Sequence, residues 1–240
     1  LSSEQRGVLG LALEGKSLFF TGSAGTGKSF LLRRLVEALR SKYSSAPGGG
    51  GGAVSVTAPT GLAACNVGGV TVQSFAGIGK GDGHVGDLIR RVRGDDGARQ
   101  RWRKCRVLVI DEVSMLDGRL LTKLDAVARA SRGNARKPFG GLQLIMCGDF
   151  FQLPPVGLRK GAQFAFEAPV WEDAVPISVN LTRVFRQKDE SLIRVLNAIR
   201  VGSQHPLIEE TLNQNHCLLS STTPFPAHGT TLFPRNADVD

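Results

Sequence analysis

Short apolar runs alternate along this chain with longer stretches of helical period. The runs Ser17 to Thr21, Ala53 to Ala58, Val107 to Ile110, Leu142 to Cys147 and Pro176 to Leu181 have strand length. The central ones are apolar throughout, as strands buried on both faces are. Between them lie helical candidates at Ser29 to Leu39, Gly61 to Val67, Arg119 to Ala130 and Asp189 to Arg200. In the third, Leu120, Leu121, Leu124, Val127 and Ala128 recur at steps of three and four, forming one apolar stripe with Lys123, Asp125 and Arg129 outside it. Strands alternating with helices predict an α/β fold with a mostly parallel sheet.

Two segments break this rhythm. Five glycines, Gly48 to Gly52, follow Pro47 and read as a flexible surface insertion between helix and strand. From Gly202 to Gly229, polar residues with Pro206, Pro224 and Pro226 read as a linker or a loosely packed excursion, after which Thr230 to Phe233 resemble the start of a new strand.

Composition narrows the class. At 240 residues, 41% hydrophobic and 21% charged, the chain is long and apolar enough to bury a core, which excludes a disordered tail or a fibre. The apolar stretch Val8 to Leu13 is interrupted by Gly10 and closed by Glu14, Gly15 and Lys16. It makes neither a membrane span nor a signal segment, so an intracellular protein with no membrane partner is expected. The opening residue, Leu1, leaves a removed targeting segment or a larger parent protein open. Cys65, Cys105, Cys147 and Cys217 form no C-x-x-C pair, so neither a zinc site nor a disulfide framework is suggested. Cys105 and Cys147 stand in or beside apolar runs and read as buried thiols. The net charge of +9 makes an anionic partner expected. Much of it is local: Arg90, Arg91, Arg93, Arg99, Arg101, Arg103, Lys104 and Arg106 face only Asp95 and Asp96, leaving +6 between residues 90 and 106. That stretch is either a phosphate-contacting patch or a solvated helix face.

The candidate chemistry is more specific. Leu18 to Thr21 run straight into Gly22-Ser23-Ala24-Gly25-Thr26-Gly27-Lys28-Ser29, followed by a helix, which is G-x-x-x-x-G-K-[ST] in its strand-loop-helix setting. Glycines let the backbone curl so that N–H groups point at a phosphate; Lys28 would neutralise β- and γ-oxygens and the Ser29 hydroxyl would ligate Mg²⁺. Strand Val107 to Ile110 ends in Asp111-Glu112, where the first carboxylate would hold the metal and the second polarise an attacking water. Together these indicate hydrolysis of a nucleoside triphosphate with Mg²⁺.

Beyond the phosphate loop, several blocks carry a family resemblance: Leu1 to Gln5, Thr57-Ala58-Pro59-Thr60-Gly61-Leu62-Ala63-Ala64, Gly68 to Thr71 with Ser74 to Gly79, Asp111 to Met115, Gly148-Asp149-Phe150-Phe151-Gln152-Leu153-Pro154-Pro155, and Phe185-Arg186-Gln187. In this order they resemble the Pif family of superfamily one, group B, DNA helicases, over nearly the whole chain. Lys123 to Ala130 and Lys137 to Gly141 further resemble the segment that separates eukaryotic members from RecD-like cousins.

The resemblance implies a P-loop NTPase with a RecA-like parallel sheet covered by helices on both faces, and an ATP-dependent helicase moving 5′ to 3′ on single-stranded DNA. It implies a monomer that uses ATP and Mg²⁺, with family members commonly acting in telomere maintenance, replication and repair, in nucleus or mitochondrion if eukaryotic. By residue, it implies that Gln5 reads adenine, Gln152 senses the γ-phosphate and its attacking water, and Arg186 is an arginine finger. Thr60, Gly61, Thr71, Ser74 and Phe75 match positions lining the single-stranded DNA path, where Phe75 either offers a face to a base or packs in the core. One departure is Gln73, where the family often has His. By domain, it implies a RecA-like ATP-binding domain over 1–201, a linker over 202–229, and at 230–240 the opening of a second RecA-like domain that the chain does not continue. Two rivals stand beside this reading: a nucleotide- and DNA-binding module that unwinds nothing, and a P-loop phosphotransferase with an arginine-rich lid at Arg90 to Arg106.

Overall fold

The computed structural model describes residues 1–44, 52–157, 161–204 and 206–214. Among these, six strands form one sheet: β1 Leu18–Gly22, β2 Val54–Ala58, β3 Val70–Thr71, β4 Val107–Ile110, β5 Gln143–Cys147 and β6 Ile177–Leu181. Every pairing is parallel and the order is β3-β2-β4-β5-β1-β6. The helices are α1 Ser3–Leu13, α2 Lys28–Ser44, α3 Gly61–Asn66, α4 Val72–Ala76, α5 Val85–Gly94, α6 Asp96–Lys104, α7 Gly118–Arg132, α8 Trp171–Ala174, α9 Glu190–Arg200 and α10 Pro206–Gln214.

The α/β expectation, with helices on both faces, is met, and alternation along each central strand shows how. Leu18 and Phe20 of β1, Val107 and Val109 of β4, and Ile145 and Cys147 of β5 pack with Val8 and Ala12 of α1 and Leu31, Leu32, Leu35 and Leu39 of α2. Phe19, Leu108, Ile110, Leu144 and Met146 point the other way, into a cluster with Phe75, Leu88, Val92, Trp102, Leu121, Leu124, Val127 and Trp171. A side-chain period of two thus buries both faces, each fully buried Leu or Phe contributing about 1.5–3 kcal/mol.

Three elements differ from expectation for local reasons. Helix α1 is set by a capping box in which the Ser2 hydroxyl accepts from Gln5 N–H and the Gln5 side chain accepts from Ser2 N–H. Asp125 of α7, expected outside the apolar stripe, is buried: its carboxylate accepts from Phe139 N–H (2.6 Å) and Arg129 Nε (2.7 Å). That clamp joins the two family-distinguishing pieces, because Phe139 sits in a 3-10 turn, Pro138–Gly141, and takes a left-handed φ of 49°. The basic stretch forms α5 and α6, whose buried residues are Leu88, Val92, Ala98 and Trp102.

Leu1–Lys188 is one compact unit, and a second begins at Asp189 and carries α9 and α10. Of the stretch expected to be a linker, 206–214 is helical, while 215–229, the strand-like 230–240 and the glycines Gly48 to Gly51 lie outside the described residues.

Candidate nucleotide and nucleic-acid site

Apart from Gln5, which is carried by α1, the candidate residues lie at or follow the carboxyl ends of strands, the edge at which open parallel sheets bind ligands. β1 runs out at Gly22 and α2 begins at Lys28, so 23–27 is a loop feeding a helix N-terminus. Gly22 has to be glycine, since a β-carbon there would lie 2.6 Å from Leu181 O and 2.7 Å from Thr26 Oγ1. Buried Thr26 pins the curl by donating its hydroxyl to Ser23 O (2.9 Å). The Lys28 ammonium donates to Gly22 O (2.8 Å) and Ser23 O (3.2 Å), which keeps the cation over the loop, while Ser29 is exposed beside it.

Two strands away, β4 delivers Asp111 and Glu112. Asp111 is buried, and burial pushes its carboxyl up against the opposing pull of Glu112 N–H, the Cys147 thiol and Lys28. Cys147 is buried beside Asp111, and burial first, then the Asp111 charge, pushes its thiol well up. Glu112 has a left-handed backbone, φ 50° and ψ 43°, a conformation costly for a side chain of this kind and found where a site demands it. Burial first, then the Asp111 charge, raises its affinity for a proton, Lys28 opposes, and Asp149 adds to the rise.

Asp149, not singled out in the sequence, extends from β5 between those two strands and is 1% exposed. It accepts from Phe151 N–H (3.2 Å) and from Gln152 Nε2 (3.2 Å), so the exposed Gln152 amide is aimed by a buried carboxylate. On the other side of β1, the segment after β6 folds over the phosphate loop. Phe185 N–H donates to Gly25 O (2.8 Å), and a β-carbon at Gly25 would lie 2.9 Å from Arg186 Cβ. Arg186 is exposed there and carries no ion pair among the described residues.

Helix α1 ties this corner together. Glu4 accepts from Thr182 N–H (3.1 Å) and hydroxyl (2.6 Å), and the hydroxyl bond is the main reason its carboxyl lies below the usual range. Gln5, 3% exposed, donates from Nε2 to Thr26 O (3.3 Å) and accepts from Ser2 N–H at Oε1 (3.0 Å). A carboxamide has two N–H donors and two acceptor lone pairs, so one of each remains for a base edge. Leu1, Ser2, Gln5, Gly27, Phe30, Arg183 and Phe185 line a pocket of about 390 Å³ beside the loop. Neither Glu4 nor Phe185's place on the wall was foreseen.

The second group of candidates sits at the far edge of the same sheet. Thr60 follows β2 and caps α3, accepting from Ala63 N–H, while Thr71 ends β3 and caps α4, accepting from Ser74 N–H and donating to Ser74 Oγ (2.9 Å). Ala58 pairs with Thr71, which brings the two strand ends together. Gly61 and Ser74 are exposed. The ring of Phe75 is not available to a base: it is 2% exposed and packed edge-on against Trp102, centroids 4.9 Å apart, because α4 turns that position into the core. The exposed apolar groups here are Leu62, 76% exposed, and Val70, 51%. Gln73 is half-buried, with no hydrogen-bond partner for Oε1 among the described residues.

Among the described residues no three His, Cys, Asp or Glu cluster as a metal cage, and no helix is long and apolar enough to cross a membrane. Residues 1–201 match the PIF1-like helicase family. The chain is 46% identical over 241 residues to the ATP-dependent DNA helicase PIF1 of Emericella nidulans, covering 98% of this chain and 31% of that protein. To the human ATP-dependent DNA helicase PIF1 it is 49% identical over 205 residues, covering 84% of this chain and 30% of that one. The crystal structure of Pif1 helicase from Candida albicans superposes with a TM-score of 0.81 at 48% identity, over 89% of this chain and 47% of that one. A Bacteroides Pif1 in complex with ADP-AlF3 and single-stranded DNA gives 0.71 at 31%, over 94% and 52%. The chain therefore spans about a third of the curated relatives' length and about half of those solved chains.

Proposed function

The chain belongs to the PIF1-like helicase family, and on that premise we propose that it is the nucleotide-hydrolysing half of a DNA helicase that moves 5′ to 3′ on single-stranded DNA. The observation that carries the proposal is a convergence on one sheet edge: Lys28 from β1, Asp111 and Glu112 from β4, Asp149 and Gln152 from β5, and Arg186 from beyond β6. The ADP-AlF3 and DNA complex of the Bacteroides relative supports the same pair of ligands here.

ATP would lie along the phosphate loop, its base in the pocket beside Gln5 and Phe185. The residues at this edge fit Mg²⁺, because one buried carboxyl, Asp111, and the Ser29 hydroxyl at the head of the loop helix suit an ion that takes its other oxygens from phosphate and water. Asp111 and Ser29 would hold it, and when bound it neutralises phosphate charge. Glu112 takes the proton of the attacking water, and its raised proton affinity makes it a stronger base. Gln152, aimed by Asp149, orients that water. Lys28 and Arg186 meet the charge spread over the γ-phosphoryl oxygens from two sides, a task suited to the planar guanidinium. Thr60, Gly61, Thr71 and Ser74 would meet the DNA backbone with hydroxyls and main chain.

A change in grip driven by hydrolysis needs a second motor domain closing on this one. In isolation the chain is expected to bind nucleotide and DNA without separating strands. In the full-length protein, Lys28→Ala or Glu112→Gln is expected to abolish DNA-stimulated ATP turnover, and Gly61→Glu, at a position with nothing within 4 Å of a β-carbon, to weaken DNA binding with nucleotide binding intact. Retention of most turnover in either of the first two variants would refute the hydrolytic assignment.

A further inference from the structure

The cations of α5 and α6 are not equivalent. Arg90 is paired with Asp87 and Arg99 with Asp96, each within its own helix, and Arg106 lies over the Tyr43 ring. Arg91 and Arg101 instead face the turn that follows α4. Arg101 donates from Nε to Phe75 O (2.9 Å) and from a terminal nitrogen to Ser74 O (3.3 Å), while the neighbouring Trp102 donates to Ala76 O (3.1 Å). Three successive carbonyls of α4 are thereby held by α6. Two glycines let the guanidiniums lie close over this turn. A β-carbon at Gly79 would meet Arg91 at 3.1–3.4 Å, and one at Gly77 would lie 2.5 Å from Ala98 Cβ and 3.5 Å from Arg101. Asp95 stands between the two arginines, but one of its oxygens caps α6 at Ala98 N–H. Both arginines are exposed, as are Lys80 on the turn and Lys104 one helical turn from Arg101.

We propose that Arg91 and Arg101, over the turn Gly77 to Gly79, form a phosphate-binding rim that continues the nucleic-acid path from Thr71 and Ser74 along the surface of α5 and α6. The partner is the phosphodiester backbone of DNA. The inference rests on the assignment of that path to DNA and extends it to residues outside every motif in the sequence. Because Arg101 is bonded to the main chain of the helix bearing Ser74, it also positions that part of the path. Arg93 and Arg103, on the opposite flanks of their helices, are predicted to take no part.

The test is the affinity of the full-length protein for a fluorescent oligothymidylate, measured by anisotropy across a salt titration. A single-stranded phosphate contact contributes about 0.7 to the slope of log affinity against log salt. Arg91→Gln, which removes no main-chain hydrogen bond, is expected to flatten the slope by about 0.7, and Arg91→Gln with Arg101→Gln by about 1.4. Arg101→Lys should restore its share of the slope by keeping the charge. Arg93→Gln with Arg103→Gln removes the same charge elsewhere and should leave the slope as it was. An unchanged slope for Arg91→Gln, or an equal loss in the Arg93 and Arg103 double variant, overturns the rim. Gly61→Glu separates the two levels. If it weakens binding while Arg91→Gln has no effect, only the rim falls; if neither has any effect, the assignment of the path falls with it.

Discussion

Gly25 offers a way to measure how the Arg186 segment depends on the phosphate loop, because the chain contains its own control. Gly25 and Gly15 share a φ of +85°, a region where a β-carbon costs about 1–2 kcal/mol. At Gly15 nothing lies within 4 Å of the added carbon, whereas at Gly25 it would meet Gln187 Oε1 at 2.7 Å, Arg186 Cβ at 2.9 Å and Val184 Cγ1 at 3.2 Å. The Gln187 amide can swing away. Arg186 Cβ is anchored to the main chain, so ordinary contact is regained only if the segment retreats by about 0.5–1 Å. Gly15→Ala should therefore lose only the cost of the backbone conformation, a Tm drop of about 2–8 °C for a domain of this size, and Gly25→Ala at least as much. Only Gly25→Ala should lose turnover, by about 10–100-fold in kcat/KM, since a shift near 1 Å in a charge-stabilising group costs about that much. A double-mutant cycle isolates the cause: with Arg186→Ala in place, Gly25→Ala should have little left to remove. Turnover within about twofold of the Gly15→Ala variant, or full additivity with Arg186→Ala, would refute the coupling.

Two further predictions come from carboxylates, one half-buried and one buried. Glu112 binds its proton more tightly in the native state than in the unfolded chain, so stability falls as pH rises from the ordinary carboxylate range through its raised value. Glu112→Gln should thus raise Tm at neutral pH, with the advantage vanishing in acid, while turnover falls at least about 100-fold; melting curves across pH that show a less stable variant at neutrality would contradict this. Asp125→Ala leaves Phe139 N–H and Arg129 each short of a partner and should cost about 2–3 kcal/mol, after allowance for partial exposure of Arg129. Asp125→Asn keeps an acceptor for Phe139 and should cost less, so equal losses in urea denaturation would show that the Phe139 hydrogen bond contributes little.

What the sequence made legible divides by the range of the interactions involved. The central strands β4 and β5 appear as apolar runs because both faces are buried, a property each residue carries by itself, whereas the edge strand β6 shows instead as an alternation of Ile177, Val179 and Leu181 with exposed Ser178 and Asn180. β3 has two residues, one of them the exposed Val70, and sends no such signal. Helices α5 and α6 are hidden by their arginines, since only Leu88, Val92, Ala98 and Trp102 mark the buried side. Helix α1 was readable in principle from Ser2 and Gln5, which have the spacing of a capping box. The phosphate loop and Asp111-Glu112 were legible because their chemistry is written in consecutive residues.

The parts that were missed are long-range or depend on which way a turn throws a side chain. Glu4 reaches Thr182 across 178 positions, and Cys147 meets Asp111 only because β4 and β5 are neighbours. Phe75 stands in a run of residues matched to the DNA path, yet α4 rotates it onto Trp102 and leaves Thr71 and Ser74 outside. The same rotation makes the backbone of α4, rather than its aromatic ring, the link between core and surface. Trp102 and Arg101, adjacent on α6, take opposite sides of that link, one in the core under Phe75 and the other exposed above the carbonyls of Ser74 and Phe75. A charge run that looked separate from every motif is, through those two residues, part of the frame that holds the proposed DNA-binding edge in place.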